Sequence, residues 1–330
     1  MSPWSVVPFT CGLLVLAGAY LLWWLDRYRW EPLGRFVGTL VLGVAAGALS
    51  LVVSAWSGGT ERAPALLSTA TSQPLVLTEL VSGEQALALC LQALLACLVL
   101  VLFSSRGAYL EGPLDGAVCG VAVAVGAALP MLVTALLARD VTFPWSGLFL
   151  VVLGASGGVA LGALVGRGVL AGTVSHLVGW SALGALASAV LTIGGRAAWG
   201  ASGGGRASWR WVELVAPLAA LVLLVGLLTL VLFVERKVLT RQLAEEVEYG
   251  VLPSWAAHAA GSYLRRVRPS WWERDDERRA LAGVMVSLAF KKEQLTRLAP
   301  EARNLYGLEV GRLRQRIRAM LTGVVASPAP

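Results

Sequence analysis

Apolar residues in this chain gather in long unbroken runs and do not alternate with polar ones. Seven runs between Val6 and Val234 are long enough to cross a bilayer, approximately 6–25, 34–56, 75–103, 114–137, 144–165, 173–193 and 213–234. A hydrocarbon core of roughly 30 Å takes about 20 helical residues, and a helix satisfies its backbone hydrogen bonds internally. The third run is long enough to include an interfacial piece, so six or eight spans also fit. After Val234 the pattern changes. Apolar residues recur at helical spacing as Leu281, Val284, Met285, Leu288, Leu295 and Leu298, then from Leu305 as Leu308, Leu313, Ile317 and Met320 or Leu321. That period predicts two amphipathic helices broken near Pro300, packed as a hairpin over about 271–322.

Composition agrees with this division. Hydrophobic residues make up 57% of the 330 and charged residues 14%, which excludes a disordered chain or a soluble single-core enzyme. The net charge of +7 belongs mostly to the tail: residues 1–234 hold ten Arg, no Lys and nine acids, residues 235–330 seventeen Lys or Arg and eleven acids. The expected fold is all-α, a polytopic transmembrane bundle over 1–234 with an Arg-rich helical tail over 235–330. Cys11, Cys90, Cys97 and Cys119 all lie in apolar runs, where no disulfide is expected. The first run lacks a basic leader and a cleavage site and reads as an uncleaved span.

Orientation follows from the basic residues. Arg27, Arg29, Arg35, Arg106 and Arg167 flank the spans on one side and Arg62, Arg139, Arg196, Arg206 and Arg210 on the other, which is a tie. Arg236, Lys237 and Arg241 break it, because with seven spans they join the side of the first loop. The positive-inside rule then makes the tail cytoplasmic and the N-terminus external, in a multi-pass protein of the cell membrane. The Arg-rich face of the tail could rest on anionic lipid, although a solvated face explains it as well. No nucleic-acid partner is expected.

An ionisable group within a bilayer costs roughly 2.5–3.5 kcal/mol on insertion scales, so each one needs a reason. Glu84 is the candidate general base or metal ligand; the alternative is a hydrogen-bonded carboxyl at the headgroup boundary. His176 has no second His, Cys or acid at metal spacing and reads as an interfacial imidazole, not a ligand. No Walker loop, HExxH, GxSxG or CxxC is present. No cofactor is expected.

Three stretches carry a resemblance. They are Asp26-Arg27-Tyr28-Arg29-Trp30-Glu31-Pro32-Leu33, the stretch Tyr109–Gly120 containing Gly112-Pro113-Leu114-Asp115-Gly116, and Glu235–Val247 with its Glu245-Glu246 pair. In order and spacing the chain resembles the PrsW family of intramembrane proteases, distant relatives of the CAAX prenyl endopeptidases. The resemblance implies a bacterial membrane helix bundle in which paired glutamates, a Phe-x-x-x-Glu motif and two His motifs activate water, with a divalent metal possible for the family.

Carried over position by position, the glutamate pair falls on Gly83 and Glu84, Phe-x-x-x-Glu on Ala127 and Met131, and the first His motif on Ser146. The last His motif falls on Ser188 and Thr192 if the site residues lie at one depth; a different register would place it on His176. Glu84, Ser146 and Ser188 are thus the remaining candidate site residues. One carboxylate with hydroxyls cannot supply both acid and base or grip a metal. The resemblance therefore implies a pseudoprotease that binds a membrane-anchored, single-span partner. The alternatives are an active intramembrane endopeptidase and, from another class, a transporter. Gly154, Gly157, Gly158 and Gly162 permit close helix approach, with internal packing favoured over a partner span.

Overall fold

The structure, a computed structural model, describes residues 33–57, 83–105, 112–137, 144–171, 173–201, 210–261, 276–298 and 300–326. These residues form helices and no strands: α1 (Leu33–Ser57), α2 (Gly83–Ser105), α3 (Pro113–Leu137), α4 (Pro144–Leu170), α5 (Val174–Ala201), α6 (Arg210–Glu248), α7 (Ser254–Gly261), α8 (Asp276–Arg297) and α9 (Pro300–Ala326). Four of them, α3 to α6, contain stretches long and apolar enough to cross a membrane. The apolar stretches described in α1 and α2 are shorter, Val37–Ser50 and Cys90–Leu102. The expected span at 6–25 and the Asp26–Pro32 stretch lie outside the described residues.

The centre of the bundle is the antiparallel pair α3 and α4. Their backbones touch along glycines: a methyl group on Gly116 would overlap the Gly162 carbonyl, and one on Gly120 the Gly158 carbonyl. On its other side α3 meets α1 in the same way, Gly43 against the Val123 backbone and Gly47 against that of Ala127, with the two helices parallel. Lipid tails are as apolar as leucine, so helices in a bilayer associate through close packing of this kind. Helix α5 packs antiparallel on α4, with Gly184 against Leu161, Gly157 against Ser188 and Gly195 against Leu153. The set Gly154, Gly157, Gly158 and Gly162 therefore divides: the last three pack internally, whereas a Cβ on Gly154 would meet nothing within 4 Å.

Buried hydroxyls in these helices bond to the preceding turn, Ser50 to the Gly47 carbonyl at 2.8 Å and Ser156 to the Val152 carbonyl at 2.9 Å. In these two the donor is kept from hydrocarbon, whereas the buried Ser181 hydroxyl of α5 has no partner among the described residues. The outward faces are apolar. Only 17% of the stretch Leu218–Glu248 is buried, and large side chains such as Val222, Phe233, Leu186 and Val190 are exposed. Exposed leucine and valine on this scale are stable only against lipid or another apolar surface.

The last span was expected to end at Val234, yet α6 continues through that point for 39 residues in all. Nothing between Val234 and Glu248 breaks it, since no Gly or Pro intervenes. Gly250, at φ +66°, ends it: the Gly250 amide donates to the Val247 carbonyl at 3.0 Å and the Val251 amide to the Glu246 carbonyl at 2.9 Å. This paired closure satisfies the last carbonyls and needs a residue free of the left-handed penalty. Beyond it, α8 and α9 form the hairpin, joined near Pro300. A core of Leu239, Leu243, Met285, Leu288, Phe290 and Ile317 binds the hairpin to the lower part of α6, and Leu170 of α4 enters the same core. The boundary expected between bundle and tail thus lies inside one continuous helix.

Candidate functional site

The candidate site residues are staggered along the bundle axis. The contact of Gly157 with Ser188 fixes the α4–α5 register: a methyl group on Gly157 would lie 2.8 Å from the Ser188 hydroxyl. Ser146 is eleven residues earlier on α4, roughly 16 Å along the axis at 1.5 Å per residue. The common depth used to choose Ser188 therefore does not hold for Ser146. Counting from an assumed span end misplaced Ser188, because α5 extends to Ala201, past the expected end at 193, while α4 begins at Pro144 as expected.

Ser188, 8% exposed, is a packing residue against Gly157, and its carbonyl accepts the Thr192 hydroxyl at 2.8 Å. Glu84 lies at the start of α2, where its side chain and those of Ser146 and Met131 are outside the described residues. Cys97, which donates its Sγ–H to the Ser181 carbonyl at 3.5 Å, sets α2 against α5. From that contact Glu84 is thirteen residues away and His176 five in the opposite direction, so roughly 27 Å of helix rise separates them.

His176 is exposed and pairs with Thr173, Nδ1 to Oγ1, at 2.5 Å. It borders an open groove lined by Ser175, Gly179, Trp180 and Leu183. Ala127, where the resemblance would put the Phe of Phe-x-x-x-Glu, is 1% exposed and abuts the Gly47 backbone. Among the described residues no three His, Cys, Asp or Glu side chains converge as metal ligands do.

Where polar chemistry does converge is below the bundle, at the junction of α6, α8 and α9. Glu246, fully buried, receives Arg314 through two bonds, Nε to Oε2 at 2.8 Å and Nη2 to Oε1 at 2.6 Å, and Lys292 at 2.7 Å. Lys292 also reaches Glu245 at 2.8 Å. Glu293, 1% exposed, receives Arg297 at 2.6 Å, Gln242 at 2.9 Å and Arg241. Burial opposes the charge on Glu293, but these hydrogen bonds outweigh it and hold the carboxyl below its ordinary value. Tyr249 faces both Lys292 and Arg314 with its ring. Three carboxylates, two of them buried, and four cations so arranged are a latch between helices, since every charge is partnered.

The second motif of the resemblance is built into the same junction. Pro113 opens α3, where its missing N–H costs nothing, and Asp115 turns back to accept the Gly112 amide at 3.1 Å. Gly112 packs on the Phe290 ring of α8, where a Cβ would come within 2.7 Å, and Gly116 begins the α3–α4 seam. The third motif supplies Gln242, Glu246 and Arg241. Both described motifs are thus docking points for the hairpin. Sequence reasoning missed this cluster; its only signal was Gln242 and Glu246 sharing a helical face with Leu239 and Leu243. Comparison of the chain with protein-family models, curated proteins and solved structures finds no match.

Proposed function

We propose that the chain is a PrsW-like membrane protein that has lost hydrolysis and acts by holding a membrane-anchored partner against its helices. The observation that carries this reading is the axial separation of the positions of the two His motifs: the Gly157–Ser188 contact sets Ser146 roughly 16 Å of helix rise from Ser188. The stagger of Glu84, Ser146 and Ser188 supports the same conclusion, because proton-transfer partners work at hydrogen-bond reach. The exposed apolar faces of α5 and α6 offer surface to a single partner span, and the continuous α6 joins that surface to the cytoplasmic hairpin. The test is reconstitution of wild type and Glu84→Gln with single-span membrane proteins. The expected result is no product above background from either; cleavage by the wild type that the variant abolishes would establish an active endopeptidase instead.

A further inference from the structure

The groove at the beginning of α5 lies at a definable depth. Helices α4 and α6 run in parallel, and Leu170 enters the same core as Leu239 and Leu243, which brings Arg167 near the level of Arg236 and Lys237. At that level the exposed apolar residues of α6, Leu230 and Phe233, give way to the exposed cations Arg236 and Lys237. Such a change from apolar to basic surface marks the headgroup region of a bilayer.

Arg167 is exposed and stacks its guanidinium 4.8 Å from the centre of the Trp180 ring. It has no carboxylate partner among the described residues, and stacking leaves the edge of the guanidinium free to donate to phosphate. Trp180 lines the groove together with Ser175, His176, Gly179 and Leu183. The polar end therefore offers Arg167, Ser175 and His176. The other end offers Leu183, continued on the same helix face by the exposed Leu186 and Val190.

We propose that this groove binds one anionic phospholipid of the adjoining leaflet, its phosphate at Arg167, Ser175 and His176 and an acyl chain along Gly179, Leu183 and Leu186. Charge complementarity favours an anionic lipid over a zwitterionic one, whose own cation would lie beside Arg167. The inference rests on α5 and α6 being membrane spans and is independent of whether hydrolysis is lost.

Native mass spectrometry of the full chain in detergent, titrated with phosphatidylglycerol or phosphatidylcholine, tests it. The expected result is one retained phosphatidylglycerol, with at least tenfold weaker retention of phosphatidylcholine and no competition from inorganic phosphate. Arg167→Gln should weaken phosphatidylglycerol at least tenfold. So should Gly179→Leu, which fills the groove; a Cβ there meets nothing within 4 Å, so the fold accepts it. Should Arg167→Gln fail to fold, Gly179→Leu decides alone. Arg312→Gln, an exposed tail position, should change nothing. Wild-type retention in Gly179→Leu, equal binding of phosphatidylcholine, displacement by phosphate or an equal loss in Arg312→Gln would each overturn the proposal. Alkaline extraction of membranes separates the two premises: release of the chain defeats the membrane reading itself, whereas a chain that stays embedded without retaining lipid defeats only this site.

Discussion

The α3–α4 seam and the α6–α8–α9 junction solve the same problem of joining helices by opposite means. The seam is made of glycines and small apolar residues, with backbone against backbone and no charge. The junction surrounds two buried carboxylates with guanidinium and ammonium groups above an apolar core. In lipid no hydrophobic force draws helices together, so close approach must do it. In water burial supplies the force, and the buried ions instead fix which faces meet, a role that depends on every charge being matched. The pair teaches that a small residue in this chain matters by its neighbour and a charged residue by its partners, neither by its kind.

The largest effect expected from breaking this contrast is at Glu246. Replacing it by Ala leaves the partly buried Arg314 without a carboxylate and Lys292 with Glu245 alone, and should cost about 3–5 kcal/mol of hairpin docking, measured as earlier proteolysis of the tail at rising denaturant. Glu246→Gln keeps the shape and loses only the charge, so it should fall between Ala and wild type. If both behave as wild type, the apolar core alone holds the hairpin. In the seam, Gly162→Ala drives a methyl group into the Gly116 carbonyl. Its cost should be about 3 kcal/mol, the upper part of the range for overpacking, read as a lower unfolding temperature in detergent.

The pH dependence separates the two regions further. Glu293 has its carboxyl held low in the folded state, below the ordinary glutamate value of 4.5. A depressed carboxyl adds stability that is complete above the unfolded value and is lost as pH falls through the folded one. Docking of the hairpin should therefore weaken below about pH 4.5, while the uncharged seam stays unchanged. Glu246 is held low in the same way by Arg314 and Lys292, so Glu293→Gln should reduce this response in the tail and only replacement of both carboxylates should flatten it. Equal acid sensitivity of seam and tail would show that the latch does not contribute as described.

Much of the architecture could be read from the chain. Six of the seven apolar runs fall on described helices, four of them long and apolar enough to cross a membrane, and Pro300 with the period around Met285 and Ile317 marked the hairpin, because both signals are local. The end of the helix that carries the last apolar run could not be read from hydropathy, since an amphipathic helix can follow an apolar one without interruption; only Gly250 closes α6. The latch was hidden for a related reason. Glu246, Lys292 and Glu293 look like ordinary solvated charges until helices far apart in sequence bring them together. The candidate site suffered from one assumption: ending the sixth run at 193, short of the end of α5 at Ala201, set Ser188 at the depth of Ser146.

The smallest expected effect sharpens the comparison most. Gly154 shares a helix and a spacing with Gly158 and Gly162, so the chain alone gives no reason to treat it differently. In the folded bundle a Cβ on Gly154 meets nothing within 4 Å, whereas one on Gly158 comes within 2.8 Å of the Ala124 side chain and overlaps the Gly120 carbonyl. Gly154→Ala should therefore stabilise by about 0.5–1 kcal/mol, the gain of alanine over glycine within a helix, seen as a small rise in unfolding temperature. Gly158→Ala should lower it. A loss at Gly154 as large as that at Gly158 would mean that the outer face of α4 is in close contact with another surface, and the division of these glycines by neighbour would no longer stand.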